Sequence, residues 1–320
     1  MSKIPEDAIQ CLDKGFVRLV DSMGGDEAIV QAARVSYGKG TTKLSQDRGL
    51  IRYLMRHRHT TPFEMVEFKF HCKMPIFVAR QWVRHRTANI NEYSLRYSEA
   101  RDEFYYPEPE HIQFQSSLNK QGRMGNVPDD LKKRVQDYFK EISNRSFEIY
   151  SELNTAGVSR ELARAILPVN LYTEWYWKND LHNLLHFVGL RSDSHAQYEI
   201  RVFSDAMAES VKAVAPFAWE AYQDYAVSGL RFSKIEQGLL EQNLPARVID
   251  DIIEDVVYQI TATLHHNKPR QENEIYPLYQ KQNGTDSEAD FKLKWDSGEI
   301  KTGNVRELRE FKEKLLSLKK

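Results

Sequence analysis

The stretch that most constrains the fold runs from Val66 to Ala79. Val66, Phe68, Phe70 and Cys72 alternate with Glu67, Lys69, His71 and Lys73. That two-residue period belongs to a strand with one face buried and one face polar. Pro75 follows and opens a helix, where a missing N–H does little harm, and Ile76-Phe77-Val78-Ala79 anchors that helix by its apolar side chains. What the anchored helix carries forward is polar: Arg84-His85-Arg86, then Asn91, Glu92, Tyr93, Ser94, Leu95 and Arg96. So many donors are costly to bury and unnecessary for solubility. They suit an anionic, hydrogen-bonding ligand such as a nucleotide, because guanidinium forks pair bidentately with oxyanions. The helix is expected to place Gln81 and Arg84 on one face, three residues apart. An extended segment through Glu92, Ser94 and Arg96 would put all three on one face.

Composition narrows the class. With 45 Lys and Arg against 46 Asp and Glu, the formal net charge is -1, so no global field draws the chain to nucleic acid or an acidic membrane. No apolar stretch approaches the length needed to cross a bilayer, and Met1-Ser2-Lys3-Ile4-Pro5-Glu6 lacks a signal-peptide apolar region. The 2 cysteines stand far apart, which suits a reducing compartment. The expected location is the cytoplasm. No Cys, His and carboxylate set has metal-ligand spacing, so no metal is expected.

Along the chain, Phe16–Val20 reads as a short strand. Asp26 is placed to cap a helix through Ala33, and Leu44–His57 reads as a second helix. Residues 115–130 read as a surface loop or insertion. Helical patterns cover Asp129 to Gly157, Arg160–Leu167, Leu181–Leu190 and Ala196–Val214. A strand-bearing N-terminal part followed by many helices indicates an α+β fold, not repeated βαβ units. After about Gly229 the character changes. Ile249, Ile252, Ile253, Val256, Val257, Ile260 and Leu264 form an amphipathic stripe, a polar stretch runs from His265 to Gly298, and Val305, Leu308, Phe311 and Leu315 form a final stripe. Two regions are therefore expected: 1–229, and a mostly helical extension, 230–320.

Arg84-His85-Arg86, a seven-residue gap and Ser94 resemble the signature of the flavin-dependent thymidylate synthases. Four further stretches are similar to blocks of the same family in the same order: His59-Thr60-Thr61-Pro62-Phe63-Glu64, Phe77 to Trp82, Arg160-Glu161-Leu162-Ala163-Arg164 with Leu167-Pro168, and Leu190 to Gln197. The resemblance implies a mixed β-sheet flanked by helices, assembled as a homotetramer with active sites shared between subunits. It also implies reductive methylation of dUMP to dTMP, with methylenetetrahydrofolate as carbon donor, FAD as cofactor and NADPH as reductant. By resemblance the dUMP site is Gln81, Arg84, Glu92, Tyr93, Ser94, Leu95, Arg96, Arg164 and Arg191, with Arg191 as the catalytic arginine. The flavin contacts fall on His59, Thr61, Arg84, His85, Arg86, Asn91, Glu92, Asp180, His182, His186 and His195. Asp180 and His186 stand where some members carry Asn, and Asn89 where the signature often has Ser.

The residues themselves agree with a flavin route. A thiolate mechanism needs an activated Cys in a polar pocket. Cys72 lies on the apolar face of its strand, and Cys11 has no His or Arg cluster beside it. Ser94 lacks a His–carboxylate relay in the motif and reads as a hydrogen-bonding ligand, with a nucleophile as the minor alternative. No G-x-G-x-x-G fingerprint is present, and the nearest glycine pair is Gly38-Lys39-Gly40. Two other readings stay open: a same-scaffold enzyme acting on another pyrimidine nucleotide, and a non-catalytic nucleotide- or RNA-binding protein.

Overall fold

The computed structural model describes residues 4–35, 44–117, 122–265, 287, 289, 291–292 and 305–318. The Gly38-Lys39-Gly40 pair and nearly all of the polar 265–298 stretch lie outside them. The described structure divides into two compact units, Met1–Gly229 and Leu230–Lys320.

The first unit is built on one five-stranded sheet, in the order β1 (Ile9–Cys11), β2 (Gly15–Met23), β3 (Glu67–Pro75), β7 (Tyr172–Asp180) and β4 (Asn89–Glu92). All four pairings are antiparallel. The alternation in β3 holds through Cys72: Phe68, Phe70 and Cys72 are fully buried, and Glu67, Lys69 and His71 face away from the core. Lys73, expected on the polar face, is instead buried and donates to Glu103 at 2.7 Å. Gly15 lets β1 turn tightly into β2, since a Cβ there would lie 2.7 Å from the carbonyl oxygens of both Cys11 and Lys73. Residues 172–180, to which the sequence reading assigns no element, form β7. This strand pairs with β3 along its whole length, from Glu67↔Asp180 to Pro75↔Tyr172. Its Trp175 and Trp177 point into the core and Tyr176 points out.

Helices α1 (Asp26–Arg34), α2 (Leu44–Arg56), α3 (Ile76–Trp82), α6 (Leu181–Arg191), α7 (Tyr198–Val214) and α8 (Pro216–Tyr222) supply the main core around the sheet's apolar face. Two strands run straight into helices. β3 ends at Pro75, the N-cap of α3, and β7 ends at Asp180, the N-cap of α6. The two helices converge where Trp82 packs on Trp175, Trp177 and Phe187, with ring centroids 4.9–5.5 Å apart. The long α4 (Asp129–Thr155) and short α5 (Arg160–Ala163) form a second core with Phe104, Tyr150 and Leu171. Gly157, at φ +79°, ends that helical run as expected.

Several sequence expectations are corrected. Asp26 does not cap α1, whose N-cap is Gly25; its carboxylate accepts the N–H groups of Phe217 (2.8 Å) and Ala218 (2.9 Å) and so caps α8. The strand beginning at Phe16 runs on to Met23. The 115–130 stretch is not simply a loop, because β5 (Phe114–Gln115) and β6 (Arg123–Met124) pair as a small hairpin. In the second unit, α9 (Lys234–Asn243) is capped by a Ser233–Glu236 capping box. Helices α10 (Ala246–His265) and α11 (Val305–Ser317) share a core of Ile249, Val256 and Leu315.

Candidate active site

The candidate residues gather in two main groups on the first unit. The first forms where the ends of α3 and α6 meet. α3 stops at Trp82, so Arg84 lies in the turn beyond it and does not share a helical face with Gln81 as expected. The turn brings Arg84 and His85 over α6. There, Nε of Arg191 donates to Nε2 of His85 at 3.0 Å. The His85 ring lies 4.9 Å, edge to face, from Phe187 and 5.8 Å from His186. Burial, then the Arg191 charge, then His186, pull His85 down from 6.5 to about 4. Burial and the Arg84 guanidinium also lower Arg191 from its ordinary value. Among the described residues no carboxylate pairs with Arg84 or Arg191. Two guanidiniums that repel each other and have no carboxylate partner among the described residues favour an anionic ligand. On α3, three residues before Arg84, the Oε1 atom of Gln81 is buried without a hydrogen-bond partner. That atom wants an N–H or O–H from a ligand.

The second group forms around the signature's serine. The extended backbone ends with β4 at Glu92, and the chain then turns: the Ser94 carbonyl accepts the N–H groups of Tyr97 and Ser98, each at 3.2 Å. The expected single extended face of Glu92, Ser94 and Arg96 is therefore not formed. Tyr93 donates its hydroxyl to the Glu99 carbonyl at 3.0 Å, and Leu95 packs its side chain against the second core. Arg96 and Arg164 are brought together through Glu161, which ion-pairs Arg96 at 3.5 Å and accepts from Arg164 Nε through its carbonyl at 3.4 Å. Arg160 ties the same loop down, donating to Glu99 at 3.1 Å and to the Tyr97 carbonyl at 3.3 Å. The Arg96–Glu161 pair is solvent-exposed, and such pairs hold weakly, so a phosphate can displace the carboxylate. No hydrogen bond or ion pair among the described residues joins the two groups within one chain.

The remaining expected flavin residues separate by local structure. Arg86 and Asn91 are exposed, Asn91 on the edge strand β4, and Thr61 starts a short 3₁₀ turn, Thr61–Met65. His59 stacks on Tyr53 with ring centroids 5.9 Å apart. His186 is exposed beside His85, and His182 lies one turn earlier on α6, half-buried. Asp180 is occupied: one carboxylate oxygen accepts the Asn183 N–H at 2.9 Å and the other the Asn183 side-chain amide at 2.8 Å, the work of a helix cap. His195 also lies apart from His85. Its Nδ1 meets Asp193 at 2.8 Å, and it borders a cavity of about 600 Å³ with His111, Arg123 and Tyr198.

Two positioning contacts had no sequence signal. Thr173 donates to Glu92 Oε1 at 2.7 Å across the β7–β4 pair, a contact that only the strand register creates. Ser192 and Ser204 share a hydrogen bond of 2.9 Å that ties the end of α6, just past Arg191, to α7. The thiols stand outside the chemistry. Burial pushes Cys11 up to about 12 and Cys72 well above the usual thiol range, so neither is a thiolate near neutrality.

Comparison with known proteins places the chain among its relatives. The family model described as thymidylate synthase complementing protein matches residues 18–217. The flavin-dependent thymidylate synthase of Ehrlichia ruminantium strain Gardel is 59% identical over 223 residues, covering 70% of this chain and 75% of that protein. The enzyme of the same name from Rickettsia conorii is 53% identical over 247 residues, covering 73% and 84%. Among solved structures, the UMP/dUMP methylase PolB from Streptomyces cacaoi, crystallised with 5-Br dUMP, is similar at a TM-score of 0.63 and 35% identity. That match covers 68% of this chain and 98% of that one.

Proposed function

The chain belongs to the flavin-dependent thymidylate synthase family, and on that premise we propose that it converts dUMP to dTMP. In this reading methylenetetrahydrofolate is the carbon donor, FAD the redox cofactor and NADPH the reductant. The observation that carries it is the Arg84–Arg191 pair, two interacting cations with no carboxylate partner among the described residues, together with the unsatisfied Oε1 of Gln81 on α3.

Methylation at carbon 5 requires that carbon to become nucleophilic, and ionising the uracil imide nitrogen does this by pushing electron density into the ring. Arg191 opposes the ring and stabilises that developing negative charge, a preorganised electrostatic effect. Glu92, oriented by Thr173, and Gln81 hold the base and ribose by hydrogen bonds. Arg96 and Arg164, with Ser94, take the phosphate. The exposed donors His59, Thr61, Arg84, Arg86, Asn91 and His186, with half-buried His85, fit the polar edge and diphosphate of a flavin dinucleotide. Bound there, FAD supplies the hydride-carrying chemistry. Asp180 and His195 contribute less to that contact, one being a helix cap and the other paired with Asp193. The two residue groups are separate within one chain, and exposed Tyr97, Leu162 and Leu190 lie in the segments around them. Both features support a homotetramer in which neighbouring subunits complete each site.

A visible spectrum with anaerobic reduction tests the reading. A yellow protein whose flavin bleaches on adding NADPH, and which then forms dTMP from dUMP and methylenetetrahydrofolate, is the expected outcome. A colourless protein that takes up no FAD removes the enzyme reading and leaves a nucleotide-binding protein on this scaffold. UMP belongs in the same assay, because the structural neighbour from Streptomyces cacaoi is a UMP/dUMP methylase also crystallised with 5-Br UMP. Methylation of UMP at a comparable rate would favour the broader specificity.

A further inference from the structure

The guanidinium of Arg191 has one hydrogen-bond partner among the described residues, and that partner is itself in the signature. Nε of Arg191 donates to Nε2 of His85 at 3.0 Å. An accepting ring nitrogen carries no proton, so the imidazole is neutral and holds its proton on Nδ1. Only the Nε edge of the guanidinium is used, which leaves both terminal nitrogens aimed away from His85 for a ligand. We propose that His85 is a positioning residue: its neutral ring, accepting through Nε2, fixes Arg191 in the orientation in which the arginine faces the uracil. This rests on the reading of Arg191 as the residue that opposes the ring.

The surroundings favour the neutral ring from every side. Phe187 packs edge to face against it, and burial disfavours its charged form. The charged or titratable groups facing it are Arg191 and His186 from α6, with Arg84 beside it in sequence. No carboxylate among the described residues offers an imidazolium a partner. Protonating His85 would set an N–H against the N–H of Arg191 and a positive charge against a guanidinium. The contact would break and Arg191 would lose its orientation. The hydrogen bond is therefore a two-state device: made when His85 is neutral, and released in acid.

The test compares His85→Ala with His85→Gln, whose side-chain carbonyl can accept from Arg191 in place of the ring. Alanine is expected to lower kcat by about 100-fold, the scale at which misplacing a catalytic group is felt, with little change in KM for dUMP. Glutamine should restore most of the rate and abolish the acid limb of the wild-type pH–kcat profile. A second readout needs no flavin. In apoprotein labelled with 15N-histidine, one resonance absent from His85→Gln should show the Nδ1–H tautomer and a midpoint near 4. In Arg191→Ala that midpoint should climb toward 6.5, since a repelling cation has gone. An Nε2–H tautomer, or a midpoint unmoved by Arg191→Ala, overturns the contact. Active wild type whose glutamine variant is as slow as alanine overturns the positioning role alone. Wild type that cannot methylate dUMP, with the tautomer as described, removes the reaction and with it the role.

Discussion

Arg191 sits in the last turn of α6, where a cation is favoured by the helix dipole, yet burial and Arg84 both work against its charge. Such a residue is held for chemistry more than for stability. Arg191→Ala should leave the fold and flavin colour intact while turnover falls by about two to three orders of magnitude; unchanged turnover in a steady-state assay would remove it from the reaction. His85 gives a second expectation, in stability. Its native value near 4 lies below the ordinary 6.5, so between those values the unfolded chain binds a proton that the native state refuses. The stabilisation from a depressed histidine is fully present above about pH 6.5 and is lost as pH falls toward 4. Across that window the melting temperature of wild type should drop more steeply than that of His85→Gln. Single residues were legible in the sequence where chemistry forces the choice, as with Arg-His-Arg after an anchoring apolar run. Their partners were not. Thr173 reaches Glu92 only through the β7–β4 register, and the use of Asp180 as a helix cap competes with the flavin contact that the family resemblance implied.

Elements were legible in proportion to how cleanly one period showed through. β3 alternates apolar and polar residues from Glu67 to Cys72 and forms there as read, while Lys73, expected on the polar face, is buried. β7 defeats the same test: Tyr172 and Thr173 at its start are both buried, and outward-facing Tyr176 looks as apolar as its neighbours. A strand paired on both sides is free to use aromatics on either face, which erases the two-residue signal. Yet β7 is the element that joins the sheet to the site, since it pairs with both β3 and β4 and launches α6. Its Trp177 is fully buried against Phe70, Trp82 and Phe187. Trp177→Ala should cost about 3–5 kcal/mol. Denaturant unfolding followed by circular dichroism reads this directly. A loss under 1 kcal/mol would mean that the aromatic cluster is not what holds α3 and α6 over the sheet. Asp26 carries a lesson for cap assignment from local sequence. It stands beside the helix it was expected to cap, but its carboxylate serves α8, nearly two hundred residues away.

On the scale of the whole chain, each unit has a core built from its own residues. The first is centred on the five-stranded sheet, and the second on Ile249, Val256 and Leu315. The family match spans residues 18–217, and the Streptomyces cacaoi methylase is covered over 98% of its length by only 68% of this chain. That neighbour is thus nearly complete without a counterpart to the remaining third. Every residue assigned here to dUMP or flavin lies before Gly229, and so do both hydrophobic clusters that support them. The second unit is small, with exposed Phe232, Ile235 and Leu239 along α9 and its approach, so its helices gain little from their own burial. A chain ending at Gly229 should therefore fold, take up flavin and methylate dUMP within about tenfold of the full-length rate, a loss of no more than about 1.4 kcal/mol of transition-state stabilisation. Size-exclusion chromatography, the flavin spectrum and a dTMP assay on the truncated protein decide it. If the truncated chain is soluble but colourless, residues 230–320 take part in the site, and the boundary at Gly229 divides the structure without dividing the function.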